Sequence, residues 1–141
     1  MDRKASAVWK GGLKDGKGEF SAPSGVFSHV PYSFKTRFED APGTNPEELI
    51  AAAHASCFSM ALSGQLGAAN LTAESINTTA NLTMEKVEGG FAITKIHLDV
   101  TAKVPNADDA AFQKAAENAK AGCPVSKVLN AKITMSAKLE R

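Results

Sequence analysis

The stretch from Thr44 to Leu66, TNPEELIAAAHASCFSMALSGQL, constrains this chain more than any other. It reads as one long helix carrying Cys57, one of only 2 cysteines. Asn45 is a good N-cap, Pro46 suits the first helical position, and Glu47 and Glu48 set carboxylates against the positive end of the dipole. With Asn45 as cap, Glu48 is the N3 residue of a capping box, which leaves Glu47 free for another task. Past Leu49 the helical wheel has almost no polar face. Leu49, Ala53, Cys57 and Met60 line one side, while Ile50, Phe58, Ala61 and Leu62 fill another. A helix apolar nearly all round is a buried one. His54, Ser56, Ser59, Ser63 and Gln65 make it too polar for a membrane span. One small sheet covers only one side of such a helix, and association into a dimer is the simplest way to cover the rest.

The 141 residues suit one domain with a core of its own, and the formal charge of +1 gives no reason to expect nucleic acid or an anionic membrane as partner. The opening MDRKASAVWKGG has no apolar run of the signal-peptide type, so the cytosol is the expected compartment. Cysteines there are more often working thiols or inert core residues than structural disulfides.

Residues 5–36 read as strands separated by turns, with GGLKDGKG as hairpin chemistry rather than a phosphate loop, since no Lys-Ser/Thr ending or helix follows it. Arg37 then falls in TRFEDAPGT, read as the connection into the central helix. Beyond that helix, Ile76, Thr78, Ala80, Leu82 and Met84 alternate with polar residues. After Glu88-Gly89-Gly90, the residues Ile96, Leu98, Val100, Ala102 and Val104 do the same, which predicts a long hairpin with one buried face. Asp108–Lys120 predicts an amphipathic helix burying Phe112, Ala115, Ala116 and Ala119 and stopped by Gly122. Cys123 follows, Pro124 starts a short helix PVSKVLN, and Ala131–Leu139 is a last alternating strand. The order is β(3)-α-β(2)-α(2)-β, an α+β fold with helices against a sheet.

Redox work at cysteine needs a nucleophilic thiolate and a second thiol able to reach it. A free cysteine is mostly protonated at neutral pH, and an apolar helix disfavours the thiolate further. Cys57 lies too far from the first turn to use the helix dipole, so a fixed cation is needed. Arg37 is the candidate, because guanidinium stays charged when buried and hydrogen-bonds both thiolate and carboxylate, and Glu47 would orient it. Ten residues of helix rise about 15 Å, so Glu47 does not reach Cys57 along a straight helix. Either Arg37 bridges the gap or a second subunit supplies part of the site. His54, one turn before Cys57, has the position of a hydrolase base, but no third orienting residue is evident. The plainer reading is a histidine satisfied by a backbone partner or at the edge of the core. For Cys123 alone, a buried small hydrophobe stands beside a functional thiol. The scattered His29, His54 and His97 show no metal-ligand spacing.

The segments GTNPEELIAAAHASCFSMAL and AGCPVSKVLNAKIT, with the TRFE segment and the strand order, closely resemble the OsmC/Ohr family of thiol-dependent peroxidases, its OsmC branch in particular. The resemblance covers essentially the whole chain, and implies that residues 1–141 form a single OsmC-like domain in an intertwined homodimer with sites at the subunit interface. It implies reduction of organic hydroperoxides, with Cys57 as the peroxidatic cysteine and Cys123 as the resolving one. Arg37 would stabilise the Cys57 thiolate and Glu47 would hydrogen-bond Arg37. In the Ohr branch the arginine comes from the early glycine-rich loop, where this chain has Lys14, so its role passes to Arg37 by the OsmC pattern. No bound cofactor is implied. The reductant would be an external dithiol, namely lipoyl groups on a protein served by dihydrolipoamide dehydrogenase. Two rival readings remain: a stress-induced binding protein for a small apolar ligand with incidental thiols, and a cysteine-dependent acyl hydrolase using His54.

Overall fold

In the computed structural model, which describes every residue from Met1 to Arg141, the glycine-rich stretch after Lys10 turns the chain back on itself as its composition predicts. Strands β1 (Ser6–Lys10) and β2 (Lys17–Ser21) pair antiparallel around it. Gly11 sits at φ 98°, a left-handed backbone that favours glycine. Strand β3 (Val30–Tyr32) pairs with the other edge of β2. Gly18 on β2 lies between Trp9 and Tyr32, and a Cβ there would stand 2.5 Å from the first ring and 2.7 Å from the second. The missing side chain lets the two rings pack across the strand, centroids 5.6 Å apart.

The connection expected around Arg37 is instead a short helix, α1 (Phe34–Phe38). Its cause is local. Ser33 caps it, Ser33 Oγ accepting from the Thr36 N–H at 3.3 Å and Thr36 Oγ1 from the Ser33 N–H at 2.9 Å. The helix order is therefore one longer than the sequence predicts, and Arg37 rides on a turn of helix rather than a loop.

Helix α2 (Pro46–Ala68) begins where expected, with Asn45 Oδ1 accepting from the Glu48 N–H at 2.8 Å. The capping box is only half formed, because the Glu48 carboxylate accepts from Thr44 Oγ1 at 2.6 Å. Asn45 Nδ2 donates to the Thr36 carbonyl at 2.9 Å, tying the cap to α1. The chain divides here into two units, Met1–Leu49 and Ile50–Arg141.

In the second unit β4 (Ser75–Val87) and β5 (Gly90–Lys103) form the predicted antiparallel hairpin. Helices α3 (Asp109–Gly122) and α4 (Pro124–Val128) then carry the chain over to β6 (Lys132–Glu140), parallel to β5 on its other edge. Helix α3 has Gly122 as its last residue and Cys123 as its C-cap, two residues beyond the Lys120 that the sequence predicts. The alternation holds: Ile96, Leu98, Val100 and Ala102 are buried with Phe58, Leu62 and Leu66 of α2 and Phe112, Ala115, Ala116 and Ala119 of α3. Both helices therefore cover one face of the sheet, and Thr79, Asn81, Asp99, Thr134 and Ser136 lie on the other. Phe112 is fully buried in this core. Phe112→Ala is expected to cost about 3–5 kcal/mol, read as a lower denaturant midpoint at unchanged slope.

The central helix departs from expectation in one respect. Within a single chain it is not buried all round: its second unit residues bury only the stripe His54, Phe58, Leu62 and Leu66, while Met60 is 80% exposed. On another side Ala53, Ser56 and Met60 are exposed, since one sheet covers one side of a helix. By length and composition α2 is also the one helix able to cross a membrane. Its buried stripe packs on a sheet, as in a core helix.

Candidate active site

The four candidate side chains form two pairs, one in each unit. In Met1–Leu49, α1 presents Arg37 and the first turn of α2 presents Glu47, and Arg37 Nε donates to Glu47 Oε1 at 2.6 Å. The Glu47 side chain is 11% exposed against 40% for Arg37. The carboxylate is thus the fixed member and the guanidinium the reaching one. Glu47 Oε2 is buried without a partner, so the carboxylate keeps unused acceptor capacity. Arg37 also lies over the Phe38 ring, 5.2 Å from its centroid. With Trp9, Leu13, Tyr32 and Phe34, Arg37 and Phe38 line a cleft of about 260 Å³. Lys14 lies 5.9 Å over the Phe34 ring.

In Ile50–Arg141, Cys57 lies on α2 beside the buried stripe, and Cys123 is fully buried where α3 ends and α4 begins. Pro124 disfavours helical backbone at Cys123, which has φ −57° and ψ 125°. That break points its side chain at α2. Both cysteines are free thiols, and Cys123 Sγ donates to Cys57 Sγ at 2.8 Å. A disulfide bond of about 2.05 Å is a small rotation away.

The two thiols share their first negative charge, one donating while the other accepts. Burial pushes the Cys57 thiol up, and contact with Cys123 adds to this against a weaker pull from the Val125 N–H. At Cys123 burial also opposes ionisation, but the Cys57 thiol, the Ser126 N–H and hydroxyl and the Val125 N–H together hold it below the ordinary thiol range. No arginine or lysine contributes to either. Neither thiol has a cation within this unit, and Cys57 has the need for one that its apolar setting predicts.

His54 is fully buried, and burial lowers its pKa, so the imidazole is neutral. Its partner is not backbone but a side chain: Nε2 lies 2.7 Å from Ser126 Oγ. Sequence reasoning missed Ser126, because a contact spanning α2 and α4 leaves no local pattern. The one available signal was its place three residues after Cys123, in the first turn opened by Pro124. Of the apolar residues flanking these positions, Phe58 and Leu62 are core, Phe38 lines the cleft and Met60 faces outward.

The OsmC family, described as OsmC-like protein, matches residues 38–138. The chain is 54% identical over 140 residues to peroxiredoxin OsmC of Escherichia coli (strain K12), covering 99% of this chain and 98% of that protein. It is 27% identical over 124 residues to the organic hydroperoxide resistance protein OhrB of Bacillus subtilis (strain 168), covering 87% of this chain and 89% of that one. Among solved structures, an OsmC-like protein of unknown function from Vibrio cholerae superposes with TM-score 0.77 at 17% identity, over 97% of this chain and 99% of that one.

Proposed function

The chain belongs to the OsmC family, and on that premise we propose that it is a thiol-dependent peroxidase that reduces organic hydroperoxides to alcohols. The observation that carries the reading is the contact of two free thiols at 2.8 Å on separate elements of one unit. An incidental pair in a binding protein has no need of that contact.

In this reading the Cys57 thiolate attacks the distal peroxide oxygen. The O–O bond breaks, the alkoxide takes up a proton and leaves as alcohol, and Cys57 becomes a sulfenic acid. Cys123 then attacks that sulfur, a disulfide forms and water departs. An external dithiol reduces the disulfide and is itself oxidised to a disulfide, so thiols alone carry the chemistry. Lipoyl groups kept reduced by dihydrolipoamide dehydrogenase are the reductant we favour, and the cytoplasm is the compartment. Arg37, held by Glu47, supplies the cation that Cys57 lacks within its own unit.

The working form is an intertwined homodimer. Its support is the exposed side of α2 with Met60 and the unused Glu47 Oε2. A sedimentation mass of twice the chain is expected, and a stable monomer with full activity would remove this part of the reading.

The activity test is consumption of cumene hydroperoxide and of hydrogen peroxide by the pure protein with dihydrolipoamide. The expected result is faster turnover of the organic peroxide, because apolar walls such as Phe34 and Phe38 favour an alkyl group. Reduced protein that turns over neither peroxide with any dithiol would sink the proposal.

A further inference from the structure

Two buried polar side chains stand behind Cys123, and the cycle above gives neither a task. His54 is 0% exposed in the middle of α2, and its Nε2 lies 2.7 Å from Ser126 Oγ. Ser126 is itself buried in the first turn of α4, three residues after Cys123, and its hydroxyl favours the Cys123 thiolate. Cys123 touches Cys57 at 2.8 Å. His54 and Ser126 make one contact and Cys123 and Cys57 the other, and Cys123 and Ser126 sit one turn apart where α4 begins.

Proton counting gives these contacts a direction. The serine hydroxyl has one proton. When it is given to Cys123, Oγ accepts from His54, so the imidazole carries its hydrogen on Nε2 and leaves a bare lone pair at Nδ1. That matches the surroundings: Nδ1 is buried with no partner, and the opposite direction would bury an unpaired N–H there. Orphaned N–H donors are rarer than underused acceptors. No lysine, arginine or carboxylate contributes at Cys123, so this neutral chain is the only side-chain support its charge has besides Cys57.

We propose that His54 and Ser126 are positioning residues for disulfide closure, a neutral hydrogen-bond relay that holds Cys123 as a thiolate aimed at oxidised Cys57. The inference deepens the peroxidase reading and rests on it for the step it names. The Cys123 thiolate attacks the sulfur of the Cys57 sulfenic acid, the S–S bond forms and the S–O bond breaks. The leaving hydroxide takes the proton that Cys123 gave up on ionising and departs as water. No further oxidant or reductant enters. Stabilising a thiolate lowers its intrinsic reactivity by less than it raises its population, so the net effect on closure is a gain.

Two measurements test this. In the first, reduced protein meets one equivalent of cumene hydroperoxide and is quenched with dimedone, and mass spectrometry separates trapped Cys57 sulfenic acid from disulfide. Ser126→Ala and His54→Leu are expected to slow closure about 3–10-fold, with more dimedone adduct, while Ser126→Thr, which keeps the hydroxyl, closes near the wild-type rate. In the second, iodoacetamide alkylation of Cys123 is followed against pH in a Cys57→Ser background, where no hydroperoxide is needed. The midpoint is expected to move to higher pH with Ser126→Ala and to stay with Ser126→Thr. Absence of both sulfenic acid and disulfide in the wild type would count against the peroxidase reading alone, since the alkylation profile still decides the relay. An unmoved midpoint in Ser126→Ala, or equal slowing by alanine and threonine, would overturn it.

Discussion

Replacing Cys57 with serine is expected to bring hydroperoxide turnover down to background, a fall of at least about 10³-fold. A serine hydroxyl at this site has no thiolate to offer, and an alcohol oxygen cannot form the sulfenic acid through which the peroxide oxygen leaves. Cys123, fully buried, is not expected to substitute for the half-buried Cys57 as a first nucleophile. Cys123→Ser makes the informative contrast. That variant is expected to consume about one equivalent of peroxide per subunit and then stall as a sulfenic acid, because nothing closes the disulfide. The measurement is peroxide loss in a single turnover followed by steady state with dithiol. If Cys57→Ser kept its turnover, the thiol contact would be incidental and the binding-protein reading would regain ground. If Cys123→Ser cycled normally, the dithiol would be reducing the Cys57 sulfenic acid directly and Cys123 would not be the resolving cysteine.

Much of the fold was legible because burial on one face leaves a period in the sequence. The alternation from Ile76 to Met84 and from Ile96 to Val104 predicts the hairpin and its inward face, and both are found. Asn45 announces its helix in the same local way, whereas Asp108, read as the first helical residue, is the N-cap of α3. Helix α1 was missed because five residues are too few for a period, although Ser33 and Thr36 form a reciprocal cap that SFKT already spells. The central helix misled in the other direction. Its composition reports everything that ever covers it, whereas one chain covers only the His54–Leu66 stripe, so the wheel overstated burial within the single chain.

The site divides along the same line. Arg37 and Glu47 were paired from charge and position, and they meet at 2.6 Å. The apposition of Cys57 and Cys123 came only through family resemblance, since nothing local connects two residues on elements so far apart in sequence. Ser126 was invisible for that reason too. Its partner His54 carried an ambiguity that residue type alone does not resolve, because a buried imidazole looks the same in sequence whether its neighbour is a carbonyl or a hydroxyl.

The second large effect is expected at Arg37. Burial and the neighbouring thiol both raise the Cys57 pKa, and no cation in its own unit opposes them. A guanidinium supplied by Arg37 would favour the thiolate and the charge building on the leaving oxygen, the kind of preorganised contact whose loss costs about 10²–10³-fold in rate. Arg37→Ala is therefore expected to lower kcat/KM for cumene hydroperoxide by about 10²-fold near neutral pH. The sign of its pH dependence follows from which form reacts. Removing the cation leaves the thiol protonated to higher pH, so the deficit is largest at low pH and shrinks as pH rises through the range where Cys57 ionises unaided. Arg37→Lys is expected to recover only part of the loss, because an ammonium is a point charge that does not reproduce a planar fork held through Nε by Glu47. Glu47→Gln keeps the shape of that support without its charge, and about a tenfold loss is expected from a guanidinium no longer held in one orientation. The check is kcat/KM against pH for all three variants beside the wild type. An Arg37→Ala profile parallel to wild type at every pH would mean that the arginine acts on peroxide binding rather than on Cys57 ionisation. An unchanged kcat/KM would remove Arg37 and Glu47 from the site and leave the thiol pair to find its cation elsewhere.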